Sequence, residues 1–422
     1  MVRMTVIVLH LSSLIGSPLT DSTGERLGRV QDVVARLDHG SGLPPVVGVR
    51  VRIGGRDSFV PIDRVQRMEP SGVRTSTTKL NLAQFERRPG DVLLREDVLD
   101  HSMINVKTAR LVSAREVELV CDAGVWRVAG IDTDLRLRWR RLLPRRWRRE
   151  DSSHRQFVAW NDLEPFVGHV PGSRLKLAGR RIARLHPAQI ADLVEAASHE
   201  EGEEILEAVA QDKELEADVF EELDDEHQVE FLRERADPEV AAVLSRMASD
   251  DAADLLLELD QDRRVPILEL LPASKQRNLR NLLGHNPSTA GGLMNPDFVA
   301  APAAETVTQA VARIRASELG DPQVAIVLVL DARGNLIGTV SLAGLARAPA
   351  EQRLAELADA STPTVATEAD LTEVALLMTD YNLVAIPVLD SDGRPVGIVA
   401  VDDVLEQLVP EEWRRRAGAA RD

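Results

Sequence analysis

The sequence is poor in sulfur, in aromatic rings and in long apolar segments. Its 422 residues include a single cysteine, Cys121, which excludes an internal disulfide framework and any metal centre built from several thiolates. Aromatic residues make up only 3% of the chain, so the cores must be built from Leu, Val, Ile and Ala. Any metal site must therefore depend on carboxylates.

Membrane spans and catalytic motifs are also missing. The longest apolar run, 324–330, has the length of a buried strand, whereas a membrane-spanning helix needs about 20 residues. The apolar stretch 1–11 is interrupted by His10 and lacks the cleavage site of a signal peptide. The nine histidines show no metal-ligand spacing, and no Gly-rich phosphate loop follows a predicted strand. We therefore expect a cytoplasmic protein without membrane insertion and without enzymatic activity.

Charge is strongly segregated along the chain. Residues 195–262 contain 25 acidic and 4 basic side chains, a local charge of −21, although the whole chain carries only −17. The segment 136–149 instead has eight arginines in fourteen positions. Such a run is usually a solvated loop, which we favour. The alternative is a phosphate-binding surface whose Trp139 and Trp147 stack on bases or enter a membrane interface. The acidic segment could either bind cations or merely keep its helices soluble.

The N-terminal half predicts two small β-rich units, 1–86 and 87–178. Valines alternate with other residues over 47–51, and Gly54-Gly55 separates two such runs as in a hairpin. The segment 157–166 (FVAWNDLEPF) echoes 59–68 (FVPIDRVQRM), which indicates an internal duplication.

Two short motifs make this half similar to the PRC-barrel family. They are 24–34, with GERLG followed by Val30 and Asp32-Val33-Val34, and Phe59-Val60-Pro61-Ile62. The resemblance implies a small barrel that acts as an adaptor for a protein or RNA–protein partner and that has no catalytic residues.

The acidic middle of the chain, 180–285, predicts an array of short helices. Apolar residues recur at helical spacing, and Asp224, Asp237, Ser249 and Asp260 stand 13, 12 and 11 residues apart, each able to cap a following helix. Such a short period predicts a compact superhelix whose apolar stripes pack together and whose carboxylates share one surface. Repulsion across that surface would open it unless cations screen the charge.

The segment 286–410 contains a duplication with a constant offset. DARGNLIG, starting at Asp331, returns as DSDGRPVG 59 residues later, at Asp390. Each copy predicts a helix, a strand, a turn, a second strand and a final helix. This arrangement resembles the paired CBS domain, which implies homodimerisation through the pair.

CBS pairs commonly bind adenine nucleotides through a Gly-hydrophobic-hydrophobic-Thr/Ser-x-x-Asp motif. The first copy has the hydroxyl, Ser341, but Gly344 replaces the aspartate; the second has Asp403, but Ala400 replaces the hydroxyl. The resemblance therefore leaves Ser341 and Asp403 as candidate nucleotide-binding residues of one weakened site. The alternative is a pair that serves only for dimerisation.

The junction 289–299 (TAGGLMNPDFV) resembles that of MgtE-type magnesium channels, as do 185–192 and 250–256. The resemblance covers roughly 180–410. It implies Mg²⁺ ions held between the helical domain and the CBS pair. The implied metal ligands are Asp251, Asp254, Asp370, Glu373, Asp402, Asp403, Glu406 and Glu411. The family's transmembrane domain would follow the second CBS copy, where this sequence has a charged tail, 411–422.

The predicted fold class is multidomain α+β: two small PRC-barrel-like units, an all-α superhelical domain and a tandem CBS pair. The predicted function is that of a homodimeric regulatory protein that responds to Mg²⁺, with an adenine nucleotide as a second candidate ligand, and that acts on an unknown protein partner through its PRC-like units. Two alternatives stay open. One is a nucleic-acid or ribosome-associated adaptor that uses the arginine run, and the other is a dimeric scaffold whose sensor site has decayed.

Overall fold

The computed structural model describes residues 7–37, 42–77, 85–88, 90–134, 157–166, 181–317 and 319–409. The arginine run 136–149 and Glu411 lie outside these residues. The chain divides into two compact units, residues 1–219 and 220–422, which are described separately below.

The β-rich part of unit 1 has three sheets. The strands are β1 Ile7–His10, β2 Pro18–Thr20, β3 Arg26–Arg36, β4 Val46–Ile53, β5 Arg56–Pro61, β6 Val65–Glu69, β7 Gly72–Thr75, β8 Asp91–Leu93, β9 Ser102–Asn105, β10 Arg110–Ser113, β11 Glu116–Asp122, β12 Val125–Asp132, β13 Phe157–Ala159 and β14 Leu163–Pro165. The largest sheet has the strand order β5-β4-β3-β2-β7-β6, with β8 also paired to β3. The other two have the orders β1-β11-β12-β13 and β10-β9-β14. Residues of both copies, from Leu9 to Leu163, form a single hydrophobic core.

The duplication predicted from the FVPIDRV and FVAWNDL segments is present in the backbone. Gly48 lies opposite Pro61 and Gly130 lies opposite Ala159, so both glycines have the same register. A Cβ atom on Gly48 would lie 2.5 Å from the Phe59 ring, and one on Gly130 would lie 2.8 Å from the Phe157 ring. In each copy a phenylalanine therefore packs across a glycine of the neighbouring strand.

The two copies exchange their first strands. β1 pairs with β11 of the second copy, and β8 pairs with β3 of the first copy. β1 leads into the short helix α1, Leu11–Leu14, and β8 leads into a one-turn π-helix, Leu94–Val98. The exchange makes the β-rich part of unit 1 one interlocked body.

A carboxylate of the opposite copy holds each exchanged segment. Asp32 of β3 accepts hydrogen bonds from the backbone N–H groups of Arg95 (2.8 Å) and Glu96 (3.1 Å), whereas Glu116 of β11 accepts one from Ser12 (3.0 Å). Asp32 is completely buried, and desolvation raises its pKa to about 6. A buried carboxylate is acceptable here because it satisfies helix N–H groups that would otherwise lack partners.

Short helices follow, as the acidic segment predicted. They are α2 Pro187–Ala196, α3 His199–Val209, α4 Lys213–Glu221, α5 Asp225–Arg233, α6 Asp237–Leu244, α7 Ser249–Glu258, α8 Gln261–Leu270, α9 Ala273–Leu282 and α10 Ala290–Leu293. Of the four expected caps, Asp224 accepts the predicted bond from the His227 N–H, whereas Asp237 is already the first residue of α6 and pairs with Arg263. Ser249 is likewise the first residue of its helix, and Asp260 makes no cap bond through its side chain.

The C-terminal repeat forms two three-stranded sheets of the same topology, β15-β16-β17 and β18-β19-β20. In each, the first pair is parallel and the second is antiparallel, with a register shift at Val329/Leu330 and at Val388/Leu389. The strands are β15 Val299–Pro302, β16 Ile326–Leu330, β17 Leu336–Ser341, β18 Val365–Ala366, β19 Ala385–Leu389 and β20 Pro395–Ala400; the helices are α11 Val307–Ala316, α12 Asp321–Val324, α13 Leu342–Arg347, α14 Leu354–Leu357, α15 Leu371–Tyr381 and α16 Val401–Leu408. The register shifts stand 59 residues apart, which confirms the duplication and its offset.

Candidate metal centre

The turn before α7 joins three parts of unit 2. The Ala248 N–H donates to the Glu221 carboxylate at the end of α4, and the Lys275 ammonium on α9 donates to the Met247 carbonyl. α7 and α9 also pack against each other. These contacts fix the start of α7 relative to α4 and α9.

The next two residues of α7 bind the junction that leads into the C-terminal repeat. The Ser249 hydroxyl donates to Asp297 (2.7 Å), and the Asn295 amide donates to Asp250 (2.9 Å). Asn295 is itself fixed by backbone hydrogen bonds in both directions with Ile398 of β20. Because α16 follows β20 directly, this chain of contacts positions α16 relative to α7.

Carboxylates of α4, α7 and α16 form one acidic centre, which consists of Glu221, Asp250, Asp251, Asp254, Asp403 and Glu406. Asp250, Asp251 and Asp254 lie within one turn of α7, and Asp403 and Glu406 are three residues apart on α16, so each set shares a helix face. Asp250 is buried, with 7% of its surface exposed, whereas Asp254 and Glu406 reach solvent at the edge. The centre therefore has a buried floor and an accessible rim.

The pKa values of these groups are raised by burial and by one another. Burial raises the pKa of Asp250 and Asp251 well above the usual range, and the charges of Asp403 and Glu221 raise that of Asp250 further. Burial, followed by Asp402, Asp251 and Glu406, raises the pKa of Asp403 to about 7. Charges on α16 contribute to the pKa values of Asp250 and Asp251, and the charge of Asp251 contributes to that of Asp403, so the carboxylates of the two helices interact electrostatically.

Asp254 belongs to the same electrostatic group. Partial burial and then the charges of Asp225, Glu258 and Glu406 raise its pKa to about 6. Like charges at this density disfavour ionisation of all members at once unless a cation is added.

Hydrogen bonds do not account for the half-buried carboxylate of Asp251. Within the part of unit 2 that the structure describes, the Asp251 side chain accepts no hydrogen bond and makes no ion pair, and Asp403 accepts only a long one from the Ala400 N–H (3.3 Å). Buried carboxylates normally have donors or cations as partners. The donor set that remains consists of oxygen atoms only, which suits Mg²⁺, an ion that keeps several waters and takes one or two protein carboxylates.

Four of the eight predicted metal ligands, Asp251, Asp254, Asp403 and Glu406, belong to this electrostatic group, but no three carboxylates of the described centre bring ligand atoms within 4.8 Å of one another. Their role as ligands stays a prediction. Asp402 is next to them and contributes to the raised pKa of Asp403. Asp370 instead caps α15 by accepting a bond from the Glu373 N–H (2.8 Å), and both side chains have exposed surroundings. Glu411 lies outside the described residues.

Two members of the centre and three residues next to it were missed by the sequence analysis. The sequence analysis did not select Glu221, Asp250, Asn295, Asp297 and Lys275 as candidates, although Asp250 stands in the segment 250–256 and Asn295 in the junction 289–299, both of which carry the family resemblance. Their roles depend on which helices meet, and the spacing of residues along one helix does not contain that information.

The two candidate nucleotide-binding residues lie in different surroundings. The Ser341 hydroxyl accepts a bond from the Gly344 N–H (3.0 Å), which makes it the cap of α13. Asp403 faces the acidic centre. A polyphosphate next to Asp403 would meet several carboxylates. Nucleotide binding by Ser341 and Asp403 stays a prediction.

Among the described residues, none of the helices is both long and apolar enough to cross a bilayer. Most of the longest apolar run forms a strand, Ile326–Leu330 of β16.

Comparisons with known proteins confirm the resemblances drawn from the sequence. Residues 185–288 match the MgtE intracellular N domain, residues 290–351 and 354–410 match the CBS domain, and residues 7–81 match the PRC-barrel domain. The described architecture is accordingly mixed α/β, with a β-rich PRC region, a helical region and a CBS pair.

The similar proteins include magnesium transporters. The magnesium transporter MgtE of Thermus thermophilus is 32% identical over 198 residues, which are 46% of this chain and 44% of that protein. The MgtE of Bacillus subtilis is 26% identical over 208 residues, 49% of this chain and 46% of that protein. The chain thus spans less than half the length of these relatives.

Among solved structures, the cytosolic domain of the Mg²⁺ channel MgtE in complex with ATP is similar to this chain with a TM-score of 0.50 and 30% identity. The match covers 55% of this chain and 93% of that one.

Proposed function

From the premise that the chain joins a PRC-barrel domain to an MgtE intracellular N domain and a CBS pair, we propose that it is a cytoplasmic, non-enzymatic regulatory protein that senses Mg²⁺. The observation that supports the proposal is the acidic centre, in which Asp251 and Asp254 of α7 interact electrostatically with Asp403 and Glu406 of α16. The likeness to proteins described as magnesium transporters supports the choice of ion.

The sensing mechanism follows from electrostatics. Without a divalent cation, ionised Asp251 and Asp403 repel each other, which favours separation of α7 from α16. The carboxylates of α7 and α16 would hold Mg²⁺, and its charge would offset that repulsion and favour the state in which the helical domain and the CBS pair are together. Occupancy of the centre therefore changes the relative stability of two arrangements.

Only the sensing step is proposed for this chain, and not ion transport, because the match covers less than half of the transporters. The PRC region would transmit the response to a protein partner. Its role as the output is an inference from its place in the chain, ahead of the sensor.

ATP is bound by the similar cytosolic domain, but the site residues of this chain do not favour it. Gly344 stands where the first CBS motif has its aspartate, and Asp403 lies among carboxylates. Mg²⁺ is therefore the principal ligand that we propose.

Homodimerisation through the CBS pair is part of the proposal. Large apolar side chains on and next to α15 and α16 are about half exposed: Leu376 58%, Tyr381 56%, Val384 54%, Leu405 52% and Leu408 49%. These two helices pack side by side, so their exposed residues supply the apolar core that an interface needs. A second copy, presenting the same surface, is the proposed occupant.

Titration calorimetry tests the sensor. We expect Mg²⁺ to bind the wild-type chain, and Asp251→Asn combined with Asp403→Asn to weaken binding by at least tenfold, because two of the charges that face the ion are removed. The matched control is Glu269→Gln, which removes an exposed acid from α8. Absence of Mg²⁺ binding to the wild type, or equal losses in the double variant and the control, would refute the proposal.

A further inference from the structure

Lys275 is the third residue of α9 and extends towards the acidic centre. Its ammonium group donates a hydrogen bond to the Met247 carbonyl, two residues before α7 begins. Burial lowers its pKa, and the negative charges of Asp297, Asp250, Glu221 and Asp251 oppose that shift. The ammonium therefore lies within the field of four carboxylates.

Lys275 is nevertheless not the partner of any one of them. In the described part of unit 2, its ammonium forms no ion pair within 4.0 Å, and three of these carboxylates have other donors. Asp297 accepts from Ser249 and Asn278, Asp250 from Asn295, and Glu221 from Ala248. The hydrogen bond to a backbone carbonyl fixes the charge beside the centre rather than inside it.

A fixed positive charge at this place has two opposite effects. It reduces the repulsion among Asp250, Asp251 and Glu221, which stabilises the folded protein when no metal is bound. It also repels a divalent cation that approaches the same carboxylates. At the same distance the repulsion energy is twice that for a monovalent cation. Lys275 thus reduces the repulsion that a metal ion would otherwise offset, and it also lowers the affinity for that ion.

We propose that Lys275 is a tethered counter-cation that sets the Mg²⁺ affinity of the acidic centre, so that replacing it by a neutral residue tightens Mg²⁺ binding. The proposal rests on the proposed function, since it assigns to Lys275 the adjustment of that same site. It makes Lys275 a specificity-determining residue, because the opposition is stronger for a divalent than for a monovalent cation.

The decisive comparison is between variants that change the charge and variants that keep it. Lys275→Met removes the charge and the hydrogen bond, Lys275→Gln removes the charge and keeps an N–H donor, and Lys275→Arg keeps the charge. Arg277→Met, on the exposed side of the same helix, removes an equal charge away from the centre. Affinity for MgCl₂ is measured by titration calorimetry on the full chain, and folding is followed by circular dichroism in EDTA and in Mg²⁺.

We expect Mg²⁺ to bind about tenfold more tightly or better to Lys275→Met and Lys275→Gln, with Lys275→Arg and Arg277→Met close to the wild type. A neutral variant that folds only when Mg²⁺ is present also supports the proposal, since the metal then replaces the missing charge. Equal or weaker binding in both neutral variants refutes it, as does failure of both to fold even with Mg²⁺ while Lys275→Arg folds.

The outcomes separate this inference from the proposed function. If the wild type does not bind Mg²⁺ but the neutral variants do, the tethered charge is established and the wild-type sensor is refuted. If the wild type binds and the neutral variants bind no better, the sensor stands and the inference fails. If none of the proteins binds, both fail.

Discussion

Replacement of Asp403 by Asn should stabilise the metal-free protein at neutral and alkaline pH, although it removes a proposed ligand. Burial and the neighbouring carboxylates raise the pKa of Asp403 from 3.8 to about 7 in the folded protein. A difference of this size corresponds to about 4 kcal/mol of destabilisation by the ionised group. Rearrangement of side chains and partial hydration reduce the realised gain to about 1–2 kcal/mol, a rise of a few degrees in Tm for a unit of this size.

The pH dependence gives the sign of the effect. Because the folded-state pKa is above the unfolded one, the folded protein binds the extra proton between pH 4 and pH 7, and its stability falls as pH rises through that window. The advantage of Asp403→Asn should therefore be absent below about pH 4, grow up to pH 7 and remain constant above it.

Thermal unfolding in EDTA, followed by circular dichroism from pH 5 to pH 8.5, measures this difference. Repetition of the series with Mg²⁺ should stabilise the wild type more than the variant, because the metal offsets the repulsion that the variant lacks. Asp262→Asn, an exposed acid on α8, is the control and should show no pH-dependent gain. The reasoning is refuted if Asp403→Asn is destabilised at pH 8 by as much as it is at pH 5.

Three further predictions concern the rest of the chain. Asp32→Ala should lower the free energy of unfolding of unit 1, measured in urea, by about 2 kcal/mol, since two helix N–H groups lose their acceptor. The control Asp57→Ala, at an exposed ion pair, should lower it by less than about 1 kcal/mol. Similar losses in the two variants would contradict the exchanged-strand packing. Millimolar Mg²⁺ at matched ionic strength should reduce the radius of gyration in small-angle scattering and slow proteolysis within 285–300, and an unchanged radius would favour a scaffold without a working sensor. Leu376→Glu with Leu405→Glu should convert a dimer into a monomer in light scattering, and an unaltered mass would exclude this surface as the interface.

Local signals in the sequence predicted most of the architecture. The repeat at an offset of 59, the Gly54-Gly55 hairpin and the short helices all depend on residues close together in the chain, and the structure contains each of them. Two predicted helix starts differ from the structure by one residue. Asp237 and Ser249 are the first residues of their helices and not the caps, because Asp, Ser and Pro are favoured at both the cap and the first turn.

The candidate site was only partly predictable, because it depends on contacts between distant segments. Asp251 and Asp403 were selected through a family resemblance, whereas Lys275, Glu221 and Asn295 became visible only once α4, α7, α9 and the junction were seen to meet. Asp370 carries the same charge as Asp403 but caps a helix, and composition alone cannot distinguish these two uses of an aspartate.

The exchanged strands of unit 1 have a consequence for how its two copies could diverge. A single-copy ancestor that swapped the same strand between two chains would form a symmetric pair, and any insertion would then occur twice. Fusion into one chain removes that constraint. Here β4 and β5 are joined by Gly54-Gly55 alone, whereas the matching connection between β12 and β13 runs from 133 to 156 and includes the arginine run. The two copies thus share one strand pattern, but only the second carries the long connection. Two separate identical chains could not have produced this difference.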